Sequence, residues 1–533
     1  MSRDGGDLGE KLRLSKLAEP WLNTAKVSRL AEDEIVLERA APHRDLPAGT
    51  DPQELSQAGW GLILAEGEEE RGVYEKLQKL IDHRKDLAKG RFKEWTLRPN
   101  VHPLKLLYDK LKTSPGTIDP KQTPYFLLLV GSPEQISFET QYALSVNHAV
   151  GRLYFENLED YSRYAQAVVD AEESVGGVGR PRRVDLFAVE KPGDEAARQL
   201  AEYMVGPVAK SLPDRVDNWS LDVTRGQDGD RERLLRLLSG GEATPSLLLA
   251  ACHGKEKAFA SKDQFDEQGA LECLDGALTA ELLEEALKAT TEERPLHGLI
   301  AFFAACYGAG TPLIDNFPHE DQHSKVVETE LEPLAEQNFV ARLPQTLLTH
   351  GTLAVIGHVD RGWTSSFRWI YRGEGSEAAR SFEDSMVRLL QGHRLGHALR
   401  PLFRRASAVG AQLLPMLEAV RNQLKVHLGD LRSHWTAYAD ARGYIVLGDP
   451  AVRLPNQDPP EFVRDPTSVL DLAQPIYLDA ETVAKARKKA EEAGLDLNAW
   501  LQDKVETLLE TGSLGFGSGR SGPVYRDFGR GGG

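Results

Sequence analysis

Two segments, SLLLAACHG (246–254) and HGLIAFFAACYG (297–308), decide the fold class of this chain of 533 residues. Each contains an uninterrupted apolar run of strand length, which is typical of strands that are buried on both faces of a parallel sheet. A stretch with helical periodicity (279–289) lies between them. A strand, a helix and a second strand in this order predict an α/β fold.

The same alternation of apolar runs and amphipathic helices extends to both sides of these segments. Further apolar runs occupy 60–65, 125–130, 184–190 and 352–360, and helical patterns occupy 73–88, 103–112, 194–210 and 376–391. We therefore predict a mostly parallel sheet flanked by helices, in two tandem α/β subdomains that divide near residue 180.

The ends of the chain differ in composition from this α/β region. We divide the sequence into an irregular N-terminal segment (1–55), an N-terminal α/β subdomain (56–180), a second α/β subdomain (181–455), a Pro-rich linker (456–475), a strand–helix–helix module (476–511) and a Gly-rich disordered tail (512–533). Pro-rich and Gly-rich stretches do not pack into a core, which places the boundaries there.

The module at 476–511 is similar to a ribbon-helix-helix unit, in which two chains pair their strands and pack their helices into a dimer. Its strand, IYLD (476–479), has no Lys or Arg for phosphate contacts, so dimerisation or docking is favoured over DNA binding. The alternative is a plain amphipathic hairpin of two helices. A homodimer formed through this module is one expectation that follows.

Composition excludes several classes of function. Lys and Arg number 64 against 81 Asp and Glu, which gives a formal net charge of −17, and such a surface repels phosphate backbones and anionic membranes. No stretch approaches the ~18 apolar residues of a membrane span, and the N-terminus lacks a secretory signal pattern. We therefore expect a cytoplasmic protein with neither membrane nor nucleic acid as a partner.

The chain has three cysteines, Cys252, Cys273 and Cys306. They lack the CxxC spacing of zinc sites and the even count of a disulfide framework, so we expect no metal and no other cofactor. Cys252 and Cys273 are expected to be buried core residues, because a free cysteine most often behaves as a small hydrophobe.

His253 and Cys306 follow the two apolar runs quoted first and are separated by 53 positions. Ligands of an open α/β sheet bind beyond the carboxyl ends of its strands, so both side chains would reach one crevice. A cysteine beside an imidazole is an activated nucleophile, and a spacing of roughly 50 residues marks the His and Cys of caspase-like enzymes. The N–H groups of Gly254 and Cys306 would form an oxyanion hole. The alternative is that each is a structural residue at a strand end.

Six segments resemble, in the same order, parts of the gingipain-type cysteine peptidases, which are relatives of caspases. They span about residues 58–455 and read YFLLLVGSPEQISF, HAVGRLYFENLEDYSRYAQAVVDAE, CHGKEKAF, FFAACYGAG, TLAVIGHVDRGWTSSF and YIVLGDPAVRLP. Ser132 stands where that family commonly has Asp. The Cys and His pattern is also similar to that of the CHAT-type caspase relatives.

The resemblance implies a caspase-like fold with His253 and Cys306 as the catalytic dyad and Gly254 as an oxyanion donor. It further implies that Trp363 forms an aromatic wall of the primary specificity pocket. Asp194 lies about where Arg-cleaving members have the pocket carboxylate, and its alternative role is a helix N-cap. Asp360 is a second pocket candidate, with a plain loop charge as its alternative.

We therefore predict a cysteine endopeptidase that acts on a protein or peptide substrate, with 181–455 as the catalytic subdomain. Cleavage after Arg or Lys is the predicted preference, because a buried carboxylate would pair with the substrate cation. Two alternatives are a non-catalytic caspase-like scaffold that binds a partner and a regulatory CHAT-type protease that acts on one partner protein. A DNA-binding regulator is a more distant alternative.

Overall fold

A computed structural model of the chain describes residues 46–455, with gaps, and residues 488–493. The gaps are at 48–49, 68–69, 100, 114–117, 174–179, 240–243, 293, 318–332, 372–373 and 378. The chain divides into two compact units, 1–462 and 463–533. The predictions for the linker, the tail, most of the N-terminal segment and most of the C-terminal module lie outside the described residues.

Ten strands form one sheet. They are β1 (Trp60–Ala65), β2 (Phe92–Leu97), β3 (Phe126–Val130), β4 (Ala149–Leu153), β5 (Arg183–Ala188), β6 (Ser220–Thr224), β7 (Leu247–Ala251), β8 (Ile300–Ala304), β9 (Ala354–His358) and β10 (Tyr444–Gly448). Their order is β2-β1-β3-β4-β10-β9-β8-β7-β5-β6. This arrangement confirms the predicted α/β class with a mostly parallel sheet.

One antiparallel pair lies at the middle of the sheet. β9 and β10 run antiparallel, whereas every other pair of neighbours in this sheet is parallel. The sheet therefore has two parallel halves of opposite direction, and β10 completes the half that contains β1 to β4. The two halves share one continuous sheet, and the predicted subdomain boundary near residue 180 stays a prediction.

Helices surround the sheet. They are α1 (Leu55–Ala58), α2 (Glu70–Ala88), α3 (Pro103–Lys105), α4 (Phe138–Ser145), α5 (Leu158–Glu173), α6 (Glu195–Leu200), α7 (Gly206–Arg215), α8 (Arg231–Ser239), α9 (Gln264–Glu267), α10 (Ala280–Ala289), α11 (Arg342–Thr349), α12 (Arg380–Leu390), α13 (Leu395–Ala398), α14 (Arg400–Arg421) and α15 (Leu428–Arg442). Residues 374–377 pair as a strand with 368–371, so the helix predicted at 376–391 begins later, at Arg380. No helix among the described residues is long and apolar enough to cross a membrane.

The apolar spacing of α2 explains why it packs on the sheet. Val73, Leu77, Leu80 and Ile81 recur at helical spacing on one face, and all four are buried. Their burial against strands that are apolar on both faces removes a large apolar area from water, which is the main force that holds such layers together.

A buried ionic network joins the end of β10 to α2 and α5. The Asp449 carboxylate accepts hydrogen bonds from Trp60 Nε1 at 3.0 Å and Arg84 Nε at 2.7 Å. The Arg84 guanidinium also donates to both oxygens of Glu172, at 2.6 and 2.7 Å. Because Arg84 and Asp449 are fully buried, removal of either side chain would leave the charge of the other buried and unpaired, which is strongly destabilising. The Gly-Asp-Pro segment after β10 is thus tied to the N-terminal half.

Two histidines inside the fold respond to acid. Burial, and next the charge of Arg294, lower the pKa of His297 to about 4. Burial, and next the charge of Arg388, likewise lower the pKa of His393 to about 4. An unfolded histidine titrates near 6.5. Between about pH 6.5 and pH 4 the unfolded chain therefore binds more protons than the folded chain, and stability falls as the pH falls through this window.

We expect His297→Gln to weaken this acid sensitivity. A histidine pKa lowered from 6.5 to about 4 corresponds to about 3 kcal/mol of folding free energy at low pH, so the difference in unfolding free energy between pH 7 and pH 4.5 should shrink by up to that amount. Urea unfolding at the two pH values measures this difference. His427→Gln is the control, since the His427 side chain is 77 % exposed. An unchanged difference in the His297 variant would contradict the assignment.

Candidate active site

Two neighbouring strands bring His253 and Cys306 to the same edge of the sheet. β7 and β8 are parallel and in register at their last residues, Ala251 and Ala304. His253 lies two residues beyond the first of these and Cys306 two residues beyond the second. Both side chains line one pocket that is open to solvent. The structure therefore brings together the two residues predicted as a dyad.

His253 is held by Asp194, which follows the adjacent strand β5. The Nε2 atom of His253 lies 2.8 Å from Asp194 Oδ2, and the other carboxylate oxygen accepts a hydrogen bond from Ala197 N at 3.0 Å as the N-cap of α6. Burial favours the neutral carboxyl, but the Ala197 N–H and the His253 charge outweigh it and lower the pKa of Asp194. Asp194 is thus the helix cap that the sequence allowed, and it also orients the imidazole.

Two glycine amides influence the Cys306 thiol. Gly362 N donates a hydrogen bond to Sγ at 3.3 Å, and Gly254 lies against the Cys306 backbone. Burial raises the pKa of the Cys306 thiol, these two amides oppose that effect, and the charges of Asp360 and Glu256 add to it. The thiol form is favoured at neutral pH unless a base takes the proton.

Gly254 lies directly against the backbone of the cysteine. A Cβ atom added at Gly254 would stand 1.7 Å from the Cys306 carbonyl oxygen and 3.0 Å from its nitrogen. No real side chain fits at the first of these distances, so glycine is required for this close approach. The close approach of the two backbones therefore explains why the residue after His253 is a glycine.

Trp363 lines the pocket on a loop that a buried aspartate fixes. The Trp363 side chain is 39 % exposed. Asp440, fully buried on α15, accepts hydrogen bonds from Trp363 N at 2.8 Å and from Ser366 Oγ at 2.6 Å. Trp363 thus lines the same pocket as His253 and Cys306, and its role as the wall of a specificity pocket stays a prediction. Sequence reasoning missed Asp440, because it is 77 residues from Trp363 and belongs to no local motif.

Asp360 is buried and contacts the turn that contains Cys306 and Tyr307. Its carboxylate accepts hydrogen bonds from Arg361 N at 2.7 Å and from Asn316 Nδ2 at 3.3 Å, and its carbonyl oxygen accepts one from Tyr307 N at 2.7 Å. Burial, and next the charge of Asp315, raise the pKa of Asp360 to about 6. These contacts fix the turn that follows Cys306.

The pocket is mainly apolar. Its lining residues are Ala196, Ala197, Leu200, Cys252, His253, Ala304, Ala305, Cys306, Gly362, Trp363, Thr364, Phe367 and Tyr444. Neither Asp194 nor Asp360 is among them, and no carboxylate lines the pocket within the described part of the chain. Cys252 and Cys273 are buried, as predicted. Over the same described residues, no group of three or more His, Cys, Asp or Glu side chains is placed to hold a metal ion.

No protein-family model matches the chain, and no curated protein is similar to it in sequence. Several solved structures are similar to it. One, described as a protease, is 14 % identical, with a TM-score of 0.43 over 74 % of this chain and 78 % of the other. The complex of RgpB pro- and mature domains from Porphyromonas gingivalis is 11 % identical, with a TM-score of 0.41 over 74 % and 80 %. The Saccharomyces cerevisiae separase–securin complex is 10 % identical, with a TM-score of 0.30 over 62 % and 16 %. Similarity at this level carries no conclusion about activity.

Proposed function

We propose that this chain is a cysteine endopeptidase with Cys306 as nucleophile and His253 as general acid and base. The observation that carries the proposal is the single pocket lined by both side chains, with the imidazole held at 2.8 Å by Asp194. A nucleophile, a base and a group that orients the base are the recurring parts of covalent peptide hydrolysis.

The hydrogen bond to Asp194 supports a different proposed role for each of the two imidazole nitrogens. Nε2 carries the proton that Asp194 Oδ2 accepts, so Nδ1 is the nitrogen that takes the proton from the Cys306 thiol. The thiolate attacks the scissile carbonyl carbon, and His253 then gives the proton to the leaving amine. Water hydrolyses the resulting thioester, with His253 again acting as base, and the thiol is restored.

Backbone amides stabilise the oxyanion in this scheme. The N–H groups of Gly254 and Cys306 are the predicted donors, and the two residues are in close backbone contact. Fixed amide dipoles beside the reacting carbon are usually the largest electrostatic contribution to acyl transfer. They require the close contact between the two backbones that a glycine permits.

Cleavage after Arg or Lys is the finer prediction for this enzyme. It would require Asp194 to pair with a substrate cation while it caps α6 and holds His253. Both of its oxygens are engaged, and the described lining of the pocket contains no carboxylate. The preference for basic residues is thus predicted by the sequence resemblance alone, whereas the apolar lining of the pocket favours an uncharged side chain.

Labelling with a peptidyl acyloxymethyl ketone tests the proposed chemistry. We expect rapid modification of Cys306 in the wild-type protein and a loss of at least about 10-fold in rate in His253→Ala, because the imidazole activates the thiol. Mass spectrometry of the digested protein locates the label, and Cys273, which is buried and does not line the pocket, is the internal control. Equal labelling rates in both proteins would favour a scaffold that retains a free thiol without catalysis.

Asp194 is a positioning residue in this proposal, and Asp194→Asn separates its two roles. Asparagine caps a helix about as well as aspartate, so α6 should persist, whereas the negative charge beside His253 is lost. We expect kcat to fall on the order of 10- to 100-fold and the pH–rate profile to shift, with KM nearly unchanged. A purely structural Asp194 would leave the profile in place, and thermal unfolding checks the fold.

A further inference from the structure

The mainly apolar lining of the pocket beside Cys306 indicates which kind of substrate side chain it binds. We propose that it accepts the side chain on the acyl side of the scissile bond, the P1 residue, and that this residue is uncharged, apolar and large, such as Leu, Met or Phe. This inference rests on the proposed peptidase function. It is carried by the apolar lining contributed by Ala196, Ala197, Leu200, Trp363, Phe367 and Tyr444.

The two walls of the pocket come from separate elements. Ala196, Ala197 and Leu200 lie on α6, which begins at the Asp194 cap. Trp363 and Phe367 lie on the opposite loop that Asp440 holds. Alanine on the helix side leaves room between the walls, and the aromatic rings of the loop present apolar surface to a flat or branched side chain.

Among the described residues, these walls offer no free negative charge to a basic side chain. Asp440 is fully buried, with its oxygens engaged by Trp363 N and Ser366 Oγ. Asp194 is engaged by α6 and by His253. Glu195, on the exposed side of the helix, is paired with Arg198 at 2.6 Å. A Lys or Arg in the pocket would lose its hydration without gaining a free carboxylate, which is unfavourable.

An acidic P1 side chain would also be unfavourable in this pocket. The titratable side chains that line the pocket are His253, Cys306, Cys252 and Tyr444, and no Lys or Arg is among the described lining residues. Burial raises the pKa of Tyr444, so its hydroxyl stays neutral. An apolar side chain pays no such desolvation cost and gains from burial against the rings.

A series of fluorogenic tetrapeptides that differ only at P1 tests the preference on the full-length chain. With Leu, Met, Phe, Ala, Arg, Lys and Asp at P1, we expect kcat/KM to be highest for Leu, Met or Phe and at least about 100-fold lower for Arg, Lys and Asp. A higher value for Arg or Lys than for Leu would overturn the inference.

A single added carboxylate should redirect this specificity. Ala196 is exposed and lines the pocket, so Ala196→Asp introduces a charge there without disturbing the core. We expect the ratio of kcat/KM for Arg over Leu to rise at least about 10-fold, while the matched control Ala196→Asn leaves it within about 2-fold. An unchanged ratio in Ala196→Asp would mean that P1 binds elsewhere and would also overturn the inference.

Two matched electrophiles test the apolar P1 preference separately from the proposed peptidase activity. Acyloxymethyl ketones with Leu or Arg at P1 are compared for their rate of reaction at Cys306. Faster reaction with the Leu reagent supports both statements. Faster reaction with the Arg reagent, abolished by His253→Ala, would leave the peptidase in place and refute the apolar preference. No reaction with any reagent and no cleavage of any peptide would refute the peptidase itself.

Discussion

Cys306→Ala should abolish peptide cleavage while the protein stays folded. Alanine removes the only atom that forms the acyl-enzyme bond, and the remaining amides cannot supply a covalent intermediate. We expect the rate to fall by at least about 10⁴-fold. Because Cys306 is only partly buried, in the turn that follows β8, the loss of its sulfur leaves a small vacancy at the surface of the pocket, and the melting temperature should change little.

Cys273→Ala is the matched control for this variant. It also removes one sulfur, but the Cys273 thiol is buried and contacts the carbonyl oxygen of Leu271 at 3.8 Å. We expect some loss of stability and retained turnover per folded molecule. Cleavage that survives in purified Cys306→Ala at more than about 1 % of the wild-type rate would exclude Cys306 as the nucleophile.

Gly254→Ala should eliminate most activity for a purely steric reason. Its new methyl group would stand 1.7 Å from the Cys306 carbonyl oxygen, so one of the two backbones must move away. That displacement separates the amide donors from the sulfur, and misplacement of catalytic groups by about 1 Å costs on the order of 100-fold in rate. We expect at least this loss in kcat/KM, together with slower labelling of Cys306 by electrophiles.

Gly90→Ala is the comparison for that variant. A Cβ atom at Gly90 would meet no other atom within 4 Å, so the same substitution is free of clashes there. Turnover and labelling should match the wild type in this protein. Normal activity in Gly254→Ala would show that the two backbones are farther apart in solution, and the proposed oxyanion geometry would be wrong.

The α/β fold class and the placement of His253 and Cys306 in one pocket can be predicted from local sequence patterns. Apolar runs of strand length between amphipathic helices predict a parallel sheet, and residues just beyond two such strands reach a common edge. These inferences need only the period of the hydrophobic residues and the direction that a helical crossover imposes.

The partner of the imidazole and the orientation of the last strand do not follow from such patterns. Asp194 is 59 residues from His253, and its place after a strand and before a helix is as typical of a simple N-cap. An apolar run is the same in either direction, so nothing in YIVLG indicated that β10 would run antiparallel to β9. Asp440 likewise contacts the Trp363 loop only through tertiary packing.

The position of β10 also has a consequence for biosynthesis. This strand is the last of the ten to leave the ribosome, yet it lies between β4 and β9 and contributes Tyr444 to the pocket. Until it inserts, a nascent chain presents two unpaired strand edges where the halves should join, which slows folding and favours wrong pairings. The pocket that contains Cys306 is therefore completed only after the other nine strands of the sheet have left the ribosome.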